Sequence, residues 1–464
     1  MNEPPTSVDA GPKSQMATRA PAVSGASQLY QVVWRWHFYA GILTAPIFWI
    51  VTITGALYVF QTELTAWRDQ TLREVAVGET RLSYDRLREL AAAETAPNEL
   101  EAIVVSADAA RSVAFVAHAE EQVAGEVGGE DHDHGQDRHQ HIYLNPYTGE
   151  LLGSKIAEED FFAIVLDLHR SLMMGTTGRI LSELATSWGL LLLATGVYLW
   201  WPRGKRNVGV WVPRIKGKLY AVLRDWHAVS GLYFVPLAVI VMGTGLFFSV
   251  VMGSAFNASV KAAGHWAPKW FAPALSAPVA ADVKPASLDQ VVTTYLSHSR
   301  GADDMIPIRF VKNPDHAYKA FLMQDDDKNK LRMVSVDQYT AETIEVVDAA
   351  DNPFLYRVRV WAVSIHMGKI FGMPTKILAL VTSIVLFLLS VTGIWMWWKR
   401  RPTGRTGFPR RPVDGAMPAW GWVVIAVAAI ALPVAGISML VVALVDAIWA
   451  TVQRMRGASY SAIQ

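Results

Sequence analysis

The chain reads WHFYAGILTAPIFWIVTITGALYVF from Trp36 to Phe60 and WHAVSGLYFVPLAVIVMGTGLFFSV from Trp226 to Val250. With His37 set on His227, Gly41 falls on Gly231, Pro46 on Pro236 and Thr54-Gly55 on Thr244-Gly245, without a gap. A second pair of stretches repeats in the same direction. With His169 set on His366, Gly175 falls on Gly372, Arg179 on Lys376, Thr195-Gly196 on Thr392-Gly393 and Trp200-Trp201 on Trp397-Trp398. The spacing predicts a two-helix unit used twice, related by an axis along a membrane normal.

Apolar runs at about 37–60, 184–201, 228–252, 377–398 and 419–445 are each near the ~20 residues that cross a bilayer core as helix. The expected fold class is a mainly α membrane protein: a duplicated two-span unit in parallel repeat plus a fifth helix, with two small α+β domains outside the bilayer. Pro433 and Gly436 predict a kink or tilt in the fifth. Residues 1–28, rich in Pro, Ser, Ala and Gly, read as a disordered tail, and no cleavable signal precedes the first run, which reads as an anchor. The predicted order is then a first span (29–60), an outside domain (61–165), an interfacial helix and second span (166–203), and a basic loop (204–221). A third span (222–252), a second outside domain (253–360), and an interfacial helix and fourth span (361–400) follow. A basic linker (401–417), a fifth span (418–450) and a tail (451–464) complete it.

Charge gives the orientation. Arg203, Lys205, Arg206, Arg214, Lys216, Lys218 and Arg224 crowd one short loop, and Lys399, Arg400, Arg401, Arg405, Arg410 and Arg411 follow the fourth run. Basic loops stay in the cytoplasm, so the long connections face the periplasm and the N-terminus is inside. Each connection carries a strand–turn–strand pattern, HIYLNPYTGELLGS from His141 and MVSVDQYTAETIEVV from Met333, with helices expected at about 83–94 and 287–298. Ala341 stands where the first copy has the turn glycine Gly149.

The chain has no cysteine, which excludes disulfides, thiolate metal sites and covalent haem attachment. No phosphate-cradling glycine loop is present and no nucleic-acid partner is expected. Four histidines remain at repeat-equivalent places: His37 and His227 at one face, His169 and His366 at the other. A histidine beside a membrane span needs a partner. Iron in a haem offers two axial positions, so one imidazole from each of two helices clamps one b-type haem at each face. Gly41, Gly231, Gly175 and Gly372 are small enough to admit the macrocycle, Trp36, Trp226 and Phe38 supply apolar walls, and Arg35, Arg170, Arg179, Arg224 and Lys376 are candidates for its propionates. Two other readings stand beside this one. The histidines are interfacial side chains with no ligand, or Met173, Met174 or Met367 replaces one imidazole. A further tract, EDHDHGQDRHQH, holds His132, His134, His139 and His141, a surface metal site or a solvated insertion.

TGELLG at 148–153, LHRSLMMGTTGR at 168–179, TGVYLWWPR at 195–203 and the echo ending TGIWMWWKR resemble the PepSY-associated transmembrane family over about residues 30–400. The resemblance implies PepSY-like outside domains, a bacterial inner-membrane location and kinship with ferric-siderophore reductases that carry two haems. It implies His37, His169, His227 and His366 as ligands, a ferric siderophore or other ferric chelate as substrate, and quinol or a cytoplasmic reductase as donor. The alternatives are a haem conduit to another acceptor, such as copper(II) or a periplasmic enzyme, and a non-enzymatic protein that binds peptides or regulates proteases. A transporter is a further alternative, opposed by the lack of an acid in the middle of any span.

Overall fold

The computed structural model describes residues 25–95, 100–118, 138–202, 207–277, 282–301, 304–323, 327–409 and 419–461. Its helices are α1 (Gly25–Tyr58), α2 (Gln61–Arg68), α3 (Gln70–Arg73), α4 (Tyr84–Ala93), α5 (Phe161–Ser171), α6 (Gly175–Trp200), α7 (Leu219–Gly245), α8 (Val251–Ala262), α9 (Pro268–Phe271), α10 (Leu288–Ser297), α11 (Phe354–His366), α12 (Met373–Arg400), α13 (Ala419–Ala431) and α14 (Pro433–Ser461). Its strands are β1 (Leu100–Ser106), β2 (Val113–His118), β3 (His139–Leu144), β4 (Leu151–Ile156), β5 (Met305–Arg309), β6 (Tyr318–Met323), β7 (Leu331–Val336) and β8 (Thr343–Asp348). Most of the expected tail, 1–24, lies outside the described residues.

Four helices are long and apolar enough to cross a membrane: Leu29–Tyr58 within α1, α6, the stretch Leu219–Phe248 that contains α7, and α12. They form a ring in which α1 and α7 each touch α6 and α12, so α1 and α7 face each other across the bundle. Phe48, Met242, Leu386 and Leu389 fill the middle. There Gly189 leaves room for Phe48 and Met242, whose side-chain atoms lie within 2.3 Å of where its Cβ would stand. Pro46 and Pro236 sit inside α1 and α7 without ending them.

The fifth run departs from the five-span expectation. Proline has no N–H to give to the preceding turn and its ring collides with the carbonyl four residues back. Pro433 therefore starts a new helix, α14, after α13 has ended at Ala431. The described apolar stretches, Trp422–Ala431 and Pro433–Val442, are each too short to span alone. Trp188 Nε1 donates to Ser438 Oγ at 3.0 Å, which ties α14 to α6.

The outside segments also depart from expectation. Instead of two separate domains, four strands from each join in one antiparallel sheet of order β4-β3-β2-β1-β5-β6-β7-β8. The seam is β1 on β5, with Ile103 opposite Ile308 and Val105 opposite Ile306. All four side chains are fully buried, with Phe115, Ile142, Val334 and Tyr295, in a core shared by both halves. Edge pairing follows from this burial: neither four-stranded half alone covers the apolar face of its seam strand.

The helices expected at 83–94 and 287–298 are α4 and α10, started by Ser83 and Ser287, whose side chains accept from the backbone N–H of Arg86 and Gln290. The two starts also cap each other. Asp289 accepts from the N–H groups of Tyr84 (2.8 Å) and Asp85 (3.3 Å), and Asp85 accepts from that of Leu288 (3.1 Å). Each carboxylate thus meets the positive end of the opposite helix. We expect Asp289→Ala to lower stability by about 1–2 kcal/mol, the scale of a lost N-cap. Thermal unfolding of the detergent-solubilised protein checks this, and an unchanged midpoint would mean the cross-capping contributes nothing.

Both predicted hairpins form, as β3–β4 and β7–β8. Their turns match bond for bond. Asn145 Oδ1 accepts from Tyr147 and Thr148, as Asp337 Oδ1 does from Tyr339 and Thr340. Ala341 takes the same left-handed backbone (φ 55°) as Gly149 (φ 74°), so loss of the glycine did not change the turn. The Asp337 carboxylate, which also accepts from Ala277 N–H at 2.9 Å, makes it rigid enough to hold an alanine there.

Candidate functional site

The structure brings the four histidines together in two pairs. His37 on α1 lies across from His227 on α7, at the end of the bundle away from the sheet, with ring centres 6.4 Å apart. His169 near the end of α5 and His366 at the end of α11 meet at the sheet end, with ring centres 6.2 Å apart. Those two helices lie against the outside ends of α1 and α7, because left-handed residues follow each of them: Leu172 and Met173 after α5, Gly368 after α11. The chain there turns sharply into α6 and α12.

Each ring is held through Nδ1. His37 Nδ1 is 2.9 Å from Thr195 Oγ1, and His227 Nδ1 is 3.0 Å from Thr392 Oγ1. Those hydroxyls already donate to the carbonyls of Leu191 and Leu388, both at 2.7 Å. Having spent their hydrogens, they can only accept, so both imidazoles carry the proton on Nδ1. At the sheet end the acceptors are backbone carbonyls, Val51 O for His169 (2.9 Å) and Val241 O for His366 (2.8 Å), with the same consequence. All four rings thus turn an unprotonated Nε2 away from their supports. This is the tautomer a metal-ligating histidine uses when its other nitrogen is tied back.

A glycine lies beneath each ring. A Cβ on Gly55 would come within 3.0 Å of His169 Cε1, and one on Gly245 within 2.8 Å of His366 Cε1. The corresponding distances are 3.4 Å from Gly196 to His37 and 3.6 Å from Gly393 to His227. The four Thr-Gly pairs that mark the repeat are therefore the seats of the histidines. Sequence reading used them as alignment markers and missed this role. The signal was present, since a threonine beside a glycine recurs four times on apolar helices that also carry the histidines.

A family model described as PepSY-associated TM region matches residues 34–400. The chain belongs to that family. No curated protein is similar enough to the chain to count as a match. The part of this PepSY-associated chain that matches runs from just before His37 to the end of α12. It contains both histidine pairs and the whole sheet and leaves out α13 and α14.

In this PepSY-associated fold the other singled-out residues are placed as follows. Gly41 and Gly231 face Leu192 and Leu389 rather than a histidine, and Gly175 and Gly372 serve left-handed turns with open space beside them. Trp36 stacks on Trp188, and Phe38 packs against Trp397 and Phe408. Trp226 is half exposed. Arg179 donates to the Phe248 carbonyl at 3.2 Å, buried Lys376 pairs with Glu63, and Arg170 is exposed. Arg35 lies over the Tyr39 ring, and Arg224 joins Arg214 on the fully buried Asp225, two residues before His227. Met173 and Met174 are exposed, so neither is placed to replace His169.

The histidine-rich tract is only partly described. His132 and His134 lie outside the described residues. His139 and His141 belong to β3, where His139 Nδ1 bonds Glu158 Oε1 at 2.9 Å. Burial pushes the Glu158 carboxyl up, but the bonds from His139 outweigh it and hold it below the usual range.

Proposed function

We propose that this protein is a di-haem transmembrane electron-transfer protein that reduces ferric chelates, ferric siderophores in particular, outside the bacterial inner membrane. The observation that supports it most is the pairing itself: two imidazoles at each end, each with Nδ1 tied back and Nε2 free. A metal–imidazole bond is about 2.0–2.1 Å, and the ring adds about 1 Å on each side, so trans imidazoles on one metal put their ring centres about 6 Å apart. The spacings of 6.4 and 6.2 Å fit this requirement. His37 with His227, and His169 with His366, are the ligands, while Arg170, Arg179 and Lys376 remain the cations available to propionates.

When bound, haem supplies a one-electron carrier at each face. One electron from quinol or a cytoplasmic reductase then converts one chelated Fe(III) to Fe(II), which hard oxygen ligands hold less tightly. The chain's own residues fix the imidazole tautomers, shape the two seats and, through Phe48, Met242 and Leu386, keep water from the path between them. On this reading the two halves are copies of one ancestral unit, the sheet is a pair of PepSY-like domains facing the periplasm, and the basic loops face the cytoplasm.

The test is a reduced-minus-oxidised spectrum of the purified protein, followed by anaerobic addition of a ferric siderophore. We expect about two b-type haems per chain and reoxidation by the chelate at a rate that depends on its concentration. Protein made with ample haem but containing none overturns the reading. Haem that is reoxidised only by copper(II) or another acceptor replaces the substrate while keeping the conduit.

A further inference from the structure

A cleft of about 210 Å³ opens beside the His169–His366 pair. Tyr58 and Gln61 line it from the junction of α1 and α2, Lys328 from the 3-10 turn Lys328–Lys330, and Ser364, Met367 and Lys369 from the end of α11. Ser364 and Met367 flank His366 in sequence, and Tyr58 is one turn beyond Thr54-Gly55, the seat of His169. The cleft therefore adjoins both histidines of the sheet-end pair.

Its chemistry is that of an anion site with neutral donors. The two lysines bring positive charge, and Tyr58, Gln61 and Ser364 bring hydroxyl and amide groups. The nearby carboxylates are already committed. Asp327 is buried, accepting from Ser364 Oγ at 2.6 Å and from Asn329 N–H at 3.0 Å, and Glu63 takes Lys376. An ammonium has three donors, so Lys328 and Lys369 can bond within the fold and still meet a ligand. Lys369 is fixed at the rim by its own N–H, which donates to Ser364 O at 2.7 Å across the left-handed Gly368. There a side chain would strike Thr375 O at 2.9 Å. Small-molecule sites that enclose a whole ligand usually measure ~300–1,000 Å³, so this one accepts an edge of its ligand.

We propose that the cleft seats the anionic edge of an oxygen-ligated ferric chelate, such as a catecholate or carboxylate arm, beside the His169–His366 pair. This rests on the reductase reading above and adds a charge preference to it: anionic ferric chelates bind better than neutral ones of similar size.

The test is equilibrium binding to the full-length oxidised protein in detergent, with no reductant present. The probes are a ferric tricatecholate, which is anionic, and a ferric trihydroxamate, which is neutral. We expect the tricatecholate to bind more tightly, less so as salt is raised. In Lys328→Gln/Lys369→Gln its affinity should fall about tenfold or more, the scale of one lost charge-assisted contact, while the trihydroxamate changes little. The haem spectrum and stoichiometry of this variant should match the parent. Unchanged tricatecholate affinity in the double variant overturns the proposal. So does loss of one haem from it, which would assign the lysines to propionates. Failure of the reductase reading is separate, because it shows as absence of haem from the parent protein.

Discussion

Replacing His37 or His227 by alanine is expected to halve the haem content, and so is replacing His169 or His366, but each exchange removes a different haem. The pairs share no side chain: one is seated on Thr195 and Thr392, the other on the carbonyls of Val51 and Val241. The two losses should therefore appear as two distinct spectra and two midpoint potentials, and the double variant His37→Ala/His169→Ala should hold no haem. Chelate reduction driven from the donor side should collapse in every single variant. His37 and Thr54 are about 17 residues apart on α1, roughly 25 Å at 1.5 Å per residue, too far to cross without the intermediate carrier. Haem quantitation with potentiometry checks the first part. If His37→Ala and His169→Ala lost the same spectral component, the pairing across the bundle would be wrong.

The glycine seats give the second large effect, and it is graded. Alanine at Gly245 or Gly55 places a methyl carbon 2.8 or 3.0 Å from an imidazole carbon, closer than real contacts allow. Its own helix backbone cannot give way without breaking hydrogen bonds, so the ring must move. We expect Gly245→Ala and Gly55→Ala to weaken or distort the sheet-end site, and Gly245→Val to abolish it. Gly196→Ala and Gly393→Ala, at 3.4 and 3.6 Å, should keep the other site with a small shift in potential. Full occupancy with an unaltered spectrum in Gly245→Val would show that the ring is not held where the structure places it.

Much of this was legible in the sequence because the signals are local or repeated. Apolar runs gave the four long helices, Ser83 and Ser287 gave the starts of α4 and α10, and alternation around a polar turn gave both hairpins. The pairing of histidines followed from the direction of the repeat. What was missed depends on edges and contacts. Alternation tells which face of a strand is buried but not which strand lies beside it, so nothing in β1 or β5 announced their seam. A glycine in an apolar helix does not reveal its neighbour: Gly41 and Gly55 look alike in sequence, yet one faces Leu192 and the other His169. Pro433 was read as a kink where the chain instead ends one helix and begins another.

The β1–β5 seam has a consequence for how the protein is made. Met305 follows Ser106 by about 200 residues, yet the two are paired. At about 5–20 residues per second, a nascent chain waits roughly 10–40 s between completing β1 and completing its partner. Through that interval β1 offers an open row of N–H and C=O groups and an apolar face that its own half does not cover. The half-made protein is then most open to mispairing with a second nascent chain, and a periplasmic chaperone that shields strand edges would act in that window. Disease of assembly, not of chemistry, is the expected phenotype of substitutions at Ile103, Val105, Ile306 and Ile308: poor yield from the membrane, with normal spectra in the molecules that survive.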